Sequence, residues 1–591
     1  MPILGKPLLQ HLLDKIEGLA PTAVGINLHY KHDVLEEWIR HSSFRDKVAL
    51  YHEDPILGTG GALKNAVDML GKNTFLVHNS DIVSDIDLSR LIGFHFSSGN
   101  IATLALHDCP AFNNVLVDDD NCYAGIAKNT GHSGKKLHAF TGIAVYEPAF
   151  LDFLPEGASH VVDAWTKALS AGHRIGVLDV SGGYWSDIGT PAAYASAIVH
   201  ELRSDGETIY VHPTAHGCGS AEIDGFVVLE HDCLITGPVS LRNCIALPGA
   251  AAGRGVFENC LLGPGFTVNL DEREMHGQTS SEGHIHIGTG GSDRSYYRVQ
   301  NGKDTTVLMR CSTSDIDFDR HIAYTCFFSR YGLPVPQIIS VDHEKKEAVF
   351  EDLGNLSFYS LLKCRPDPGR IETLYKKILD MIVKLHTEIT DHIVEMPILT
   401  ERSFDYDHFR WETSYFHNNF VSGIKGAVAD DPVALDAEFH RLAVSAGSFP
   451  VTIIHRDLQS QNIMVTRGDV PRLIDYQGAR LAPPAYDIAS FLWDPYYRPP
   501  DMLRERLLDY YISGMKKYSA AFDEALFRES LLPCRLQRHM QALGAYGFLA
   551  VVKGKRYFLK HIDEGLRLLK EESGLARNEY PELYKLAGKL C

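Results

Sequence analysis

The stretch Ile453-Ile454-His455-Arg456-Asp457-Leu458-Gln459-Ser460-Gln461-Asn462, followed by Leu473-Ile474-Asp475-Tyr476-Gln477-Gly478, decides the fold of the C-terminal half of the chain. An apolar strand leads into His-Arg-Asp. An asparagine stands five positions after Asp457, and a second apolar strand delivers Asp475. This is the layout of a kinase-type phosphoryl-transfer site. Such chemistry needs an oriented hydroxyl and neutralised phosphate charge more than it needs covalent help. Asp457 is placed to accept the proton of a substrate hydroxyl. Asn462 and Asp475 are placed to hold Mg²⁺ through oxygen against the nucleotide phosphates. A buried turn without chemistry is the plain alternative, but the tripeptide, the spaced asparagine and the strand-borne aspartate together are far more specific than any one of them.

The flanking residues point away from protein substrates. Gln459 stands where protein kinases resembling this motif carry lysine, and the metal triplet is Asp475-Tyr476-Gln477. Only Gly478 to Tyr486 precedes Asp487, too short a span for a phosphorylatable activation loop. From about Gly288 onward the chain resembles the aminoglycoside-phosphotransferase and choline-kinase-like family of small-molecule kinases. In that resemblance Asp487 braces the catalytic loop. Gly290, Gly291 and Ser292 form a turn over the ATP phosphates, and Glu351 to Leu353 lie in the hinge that meets adenine. The lysine that grips phosphate in the family has no clear counterpart; Arg310 is the nearest candidate, with Met309 beside it. The helix near His321 to Phe328 carries no carboxylate where the family's helix has one. Within the family, the tract Leu536 to Gly547 and Gly554-Lys555-Arg556-Tyr557-Phe558 resemble kinases acting on the anomeric hydroxyl of N-acetylmuramic acid and N-acetylglucosamine. Each tract alone reads equally as an amphipathic helix.

Residues 1–203 read as an α/β domain. Apolar runs such as Ala23–Leu28, Phe75–Asn79 and Ile101–Leu106 alternate with helical stretches, which predicts a largely parallel, Rossmann-like sheet. Ligands bind beyond the carboxyl ends of such strands, which is where Asp81 falls. The segments Gly5–Leu9, Asp54–Leu63, Phe140–Ile143 and Tyr184–Pro191 resemble the sugar-phosphate nucleotidyltransferases. That resemblance implies that Gly58, Gly60 and Gly61 approach the nucleotide, and that Asp81 and Asp187 share one Mg²⁺ while a sugar 1-phosphate attacks the α-phosphate of an NTP. Glycines that merely shape a turn, or a helix cap at Asp81, are the plain readings. The family's Gly-rich triphosphate loop precedes the point matched by Met1. The expectation is therefore a further 20–30 residues or so upstream, the alternative being an inactive domain.

Residues 204–284 contain short β-like pieces with recurring Gly, Asn and Cys, which resemble a short left-handed β-helix. A spacer or homodimer contact is its functional reading, and an irregular β linker the plain one. Residues 285–591 complete the chain as a bilobal, protein-kinase-like domain, giving a multidomain α/β and α+β protein.

The 591 residues are 45% hydrophobic, as expected for several globular domains. A net charge of −18 without a basic cluster argues against nucleic acid or anionic membrane as partner. The chain has no apolar run of about 18 residues and no signal-peptide pattern, so a cytoplasmic location is expected. Its 11 cysteines form no paired motif, which fits free thiols. Together the resemblances imply a two-step enzyme of cell-wall recycling: ATP and an amino sugar give a sugar 1-phosphate, which an NTP, expected to be UTP, converts to an NDP-sugar. A kinase, for sugars or aminoglycosides, with a regulatory N-terminal domain is the alternative.

Overall fold

The computed structural model describes residues 1–127, 136–271, 275, 284–289, 294–301, 304–312 and 315–591. The chain forms two compact units, Met1–Ala197 and Ile198–Cys591.

In the first unit, strands Val24–Leu28 and Val48–His52 pair in parallel as a ladder of their own. A second, larger sheet is mixed. Ala102–His107 lies parallel to Ile175–Asp179, while the long strand Lys136–Tyr146 runs antiparallel to both Ala102–His107 and Phe75–His78. The expected largely parallel sheet is thus corrected. An 11-residue strand re-enters between its neighbours in the opposite sense, and its buried run Ile143, Ala144, Val145 and Tyr146 explains why it sits centrally. Trp165, fully buried, closes one face and donates to the Tyr146 hydroxyl at 3.1 Å.

The second unit begins with four parallel strands, Ile209–Val211, Glu222–Leu229, Val239–Ala246 and Gly255–Gly263. Val227, Cys244 and Cys260 stack inward, with the two sulfurs 3.7 Å apart. Each coil bends at a left-handed residue: Gly225 at φ 69°, Asn243 at 51° and Asn259 at 49°. Glycine and asparagine are the residues that tolerate this conformation. The Asn243 amide donates to Asn259 Oδ1 at 2.8 Å, tying adjacent coils. The coils are not a separate body. Their inward residues and those of the kinase-like lobes belong to one continuous core that includes Leu241, Cys218, Phe327, Leu361 and Tyr375. Arg370 reaches Gly219 O at 3.1 Å and Arg365 reaches Pro213 O at 3.3 Å. Gly219 lies so close that a Cβ there would stand 2.4 Å from Arg365 O.

Beyond the coils, five antiparallel strands in the order Ile285–Thr289, Ser295–Asn301, Asp304–Arg310, Glu347–Glu351, Ile338–Asp342 form a small lobe. Helix Phe318–Arg330 packs against it through Phe318 and Ile322. A larger helical lobe carries two short antiparallel strand pairs, Thr452–Ile454 with Arg480–Ala482 and Ile463–Thr466 with Val470–Leu473. Helix Glu524–Val551 runs through this lobe, and Gly547 lets it approach Asn419 O, which a Cβ would meet at 2.3 Å. Among the described residues no helix is long and apolar enough to cross a membrane.

Candidate active sites

The loop after strand Thr452–Ile454 is held by buried acids. Asp487, wholly buried at the start of helix Ala485–Leu492, accepts the backbone N–H groups of His455 at 2.7 Å and Arg456 at 2.9 Å, and pairs with His386 Nε2 at 3.1 Å. Arg456 is thereby fixed at φ 79°, a left-handed conformation that non-glycine residues adopt at a cost. Asp494, also buried, accepts the N–H and Oγ of Ser460 at 2.7 and 2.6 Å, and burial pushes its carboxyl up to about 6. Between these anchors Asp457 faces a cavity of about 610 Å³.

Asn462 and Asp475 line the same cavity. The Asn462 amide nitrogen donates to Asp457 O at 2.8 Å, which leaves Oδ1 as a free-facing acceptor, and Ile474 N–H donates to Asn462 O at 3.0 Å. Asp475 sits at φ 63°, and Tyr476 after it is buried with its hydroxyl 2.7 Å from Thr325 on helix Phe318–Arg330. Burial, then the charge of Asp457, raises the Asp475 carboxyl above its usual range. Burial acts in the same sense on Asp457, but Arg456 and Arg538 outweigh it and hold that carboxyl low. Two carboxylates and an amide oxygen with an excess of negative charge fit a hard divalent cation.

Above them lies an apolar slot. Ile287, Val307 and Phe350 from the small lobe face Met464 and Ile474 from the large one, a geometry suited to a planar base. Glu351 and Leu353 both border it. Glu351 is already engaged, its N–H donating to Gln337 O at 2.9 Å and its carboxylate paired with Arg472. Gly290, Gly291 and Ser292 lie outside the described residues. Arg310 is corrected as a phosphate ligand. Val307 and Met309 share one face of their strand, and Arg310 points from the other, pairing with Glu347 at 2.8 Å and lying over Tyr297. Near the cavity the sequence left two residues unnoticed, of which only His321 lines it. Arg294, buried, pairs with Asp315 at 3.0 and 3.4 Å. His321 lines the cavity where a helix carboxylate was sought, and burial, then the nearby Arg294 charge, presses its imidazole down to about 3.

The cavity also draws on elements outside the small-lobe and hairpin framework. Arg538, Gln541, Ala542, Ala545, Tyr546 and Leu549 line it from one face of helix Glu524–Val551 at helical spacing. Gly206, Glu207 and Thr208 line it too. Glu207 is almost buried and holds Lys560 at 2.6 Å as well as Lys363, and Thr208 Oγ1 donates to Asn355 O at 3.0 Å.

In the first unit, strands Ile82–Ser84 and Trp185–Asp187 pair antiparallel, with Asp187 opposite Ile82. Ile188 N–H donates to Asp81 O at 3.0 Å. Asp81 and Asp187 thus stand at neighbouring strand ends. Burial, then the charge of Asp187, raises the Asp81 carboxyl, so this pair also fits a divalent cation. Trp185 Nε1 donates to Thr141 O at 2.9 Å and ties this strand pair to the sheet. The glycines Gly58, Gly60 and Gly61 pack on a neighbouring segment. Gly60 and Gly61 are buried, and both amides donate to Ser159 O, at 2.9 and 3.4 Å. A Cβ on Gly61 would meet Gly157 O at 2.5 Å, and one on Gly58 would meet Ser159 O at 2.8 Å. These three positions permit close packing on the 157–160 segment, and two of their amides are committed there.

Residues 285–521 match the model of the phosphotransferase enzyme family, and residues 1–112 match that of nucleotidyl transferases. A mannose-1-phosphate guanylyltransferase of Mycobacterium tuberculosis is 29% identical over 280 residues, 45% of this chain and 76% of the relative. A UTP–glucose-1-phosphate uridylyltransferase of Synechocystis is 26% identical over 305 residues, 45% of this chain and 78% of the relative. An N-acetylmuramate/N-acetylglucosamine kinase of Pseudomonas aeruginosa is 24% identical over 311 residues, 51% of this chain and 85% of the relative. Asp457, Asn462 and Asp475 lie in the first of the two matched regions and Asp81 in the second, and the chain is a fusion of a nucleotidyl transferase domain with a kinase domain of the phosphotransferase enzyme family.

Proposed function

We propose that the protein is a bifunctional sugar-salvage enzyme. Its C-terminal unit phosphorylates the anomeric hydroxyl of N-acetylmuramic acid or N-acetylglucosamine with ATP. Its N-terminal unit joins the sugar 1-phosphate to a nucleotide from an NTP, UTP being the expected donor, to give an NDP-sugar for cell-wall recycling. The observation that carries the reading is the convergence of Asp457, Asn462 and Asp475 on one cavity beside an apolar slot. Asp457, kept ionised by its arginine neighbours, accepts the proton of the sugar hydroxyl as that oxygen bonds to the γ-phosphorus and ADP departs. Asn462 and Asp475 would hold Mg²⁺, which supplies neutralising charge to the phosphates. In the first unit Asp81 and Asp187 would hold the ion beside which a sugar-phosphate oxygen displaces pyrophosphate from the α-phosphorus. The names of the relatives support the order of steps: one is a kinase of amino sugars, and the others use sugar 1-phosphates.

The test is to incubate the protein with ATP, UTP and each N-acetylated amino sugar, following sugar 1-phosphate and pyrophosphate separately. Sugar 1-phosphate should form first and pyrophosphate second. Asp457→Ala should abolish the first product and leave ATP binding. Absence of ATP-dependent phosphorylation across all amino sugars would sink the reading. Phosphorylation without pyrophosphate release with any NTP would reduce it to the kinase half.

A further inference from the structure

The kinase cavity is lined by five carboxylates: Glu207, Glu351 and Asp352, which are paired with Lys363 and Lys560, Arg472 and Arg298, and Asp457 and Asp475 at the point of transfer. Among the described residues Arg538 is the only arginine or lysine that lines it. A site that takes up a nucleotide triphosphate beside the Asp457 and Asp475 carboxylates needs cationic help at the point of transfer, where charge must be held without reorganisation. Gln459 lines the cavity two positions after Asp457 and offers none.

Arg538 is poised for that task. It is 3% exposed. One of its guanidinium nitrogens, Nη2, lies 3.5 Å from Asp457 Oδ1, and another, Nη1, donates to Gln541 Oε1, which also lines the cavity. Its Nε is buried with no acceptor. A guanidinium carries five N–H donors, and these contacts engage only part of the set. Arg456 also stands near Asp457, at 3.8 Å, but it does not line the cavity.

We propose that Arg538 is a catalytic residue of the kinase, which donates to the non-bridging oxygens of the phosphoryl group in flight. An acceptor oxygen that gives its proton to Asp457 must lie within roughly 3 Å of that carboxylate. Phosphorus bonds to that same oxygen, so a guanidinium 3.5 Å from Asp457 lies within reach of the oxygens on phosphorus. In the step, the bond from the sugar oxygen to phosphorus forms, the bond from phosphorus to the ADP oxygen breaks, and the hydroxyl proton passes to Asp457. Arg538 keeps its protons throughout. Its position on a helix beyond residue 521 places it outside the region matched by the family model. This role rests on the kinase reading above.

The experiment compares wild type, Arg538→Lys, Arg538→Gln and Arg538→Ala in steady-state phosphorylation of the amino sugar, with binding of Mg·ATP followed by thermal shift. Arg538→Gln should lower kcat about 10²- to 10³-fold, with KM for sugar and ATP within about threefold, because the contact is made in the transition state. Arg538→Lys should recover part of that loss, and added guanidinium should restore turnover to Arg538→Ala. Wild-type kcat with a raised sugar KM in Arg538→Gln would overturn the proposal, leaving Arg538 as a sugar-binding residue only. Equal losses in the Lys and Gln variants, or no rescue of the Ala variant by guanidinium, would overturn it as well. Should Arg538→Gln fail to show the wild-type thermal shift, the guanidinium rescue decides. If wild type itself phosphorylates no amino sugar, the kinase reading fails instead.

Discussion

Asp487→Asn is the substitution whose effect can be worked most fully from the structure. The carboxylate accepts from His455 N–H and His386 on Oδ2 and from Arg456 N–H on Oδ1. Asparagine has one carbonyl oxygen. With it turned toward His455, the amide NH₂ opposes the Arg456 N–H, and a buried donor is left unsatisfied at about 1–3 kcal/mol. The two surviving bonds change from charge-assisted to neutral, losing about 1 kcal/mol each. The sum is about 3–5 kcal/mol, and the loss falls on Arg456, whose left-handed backbone depends on that bond. The loop should relax and carry Asp457 out of line, at a rate cost of roughly 10²-fold for a displacement near 1 Å. Denaturant unfolding of the kinase unit, identified as the transition that Mg·ATP shifts, gives the first number, and kcat at saturating ATP and sugar gives the second. A variant within about 0.5 kcal/mol of wild type and with kcat within about threefold would refute the bracing role and with it the strain argument.

The same geometry sets three further outcomes. Asp475→Asn should raise the Mg²⁺ concentration for half-maximal kinase rate by about tenfold or more, seen in a metal titration; an unchanged Mg²⁺ curve would remove Asp475 from the ligand set. Asp187→Asn should abolish pyrophosphate release while sugar phosphorylation continues at the wild-type rate, because Asp187 faces Asp81 in the first unit; parallel loss of both activities would contradict that separation. Gly217→Ala should destabilise the second unit by more than about 1 kcal/mol, since its φ is 86° and the new Cβ would stand 1.9 Å from Ile235 O; a melting temperature equal to wild type would show that the coil yields there.

Local signals carried far. Asp457, Asn462, Asp475 and Asp487 lie within one short span of chain, so spacing alone announced that they meet. The coils of residues 222–263 were legible for a similar reason: Gly225, Asn243 and Asn259 recur because each coil needs a left-handed residue at the same place. Arg310 was misread although strand alternation, with Val307 and Met309 on the cavity face, already assigned it to the opposite side. The packing of the glycines at 58–61 on Ser159 was not legible, because that partner lies far away in sequence. Arg538 and Glu207 could not have been placed in the cavity from sequence. They arrive on a long helix and a connecting segment whose apolar patterns report burial, and burial alone does not say beside which active site a side chain comes to rest.

The continuous core shared by residues 209–262 and the kinase lobes bears on how the protein can be dissected. A fragment begun at residue 285, where the family match begins, would strip the cover from Tyr375, Leu361 and Phe327 and leave Lys363 and Lys560 without the carboxylate they share. The smallest piece able to fold and turn over on its own should start near Ile198 instead. The boundary that matters for an isolated kinase is therefore set by who fills whose interior, some ninety residues ahead of the point where its kinship becomes recognisable.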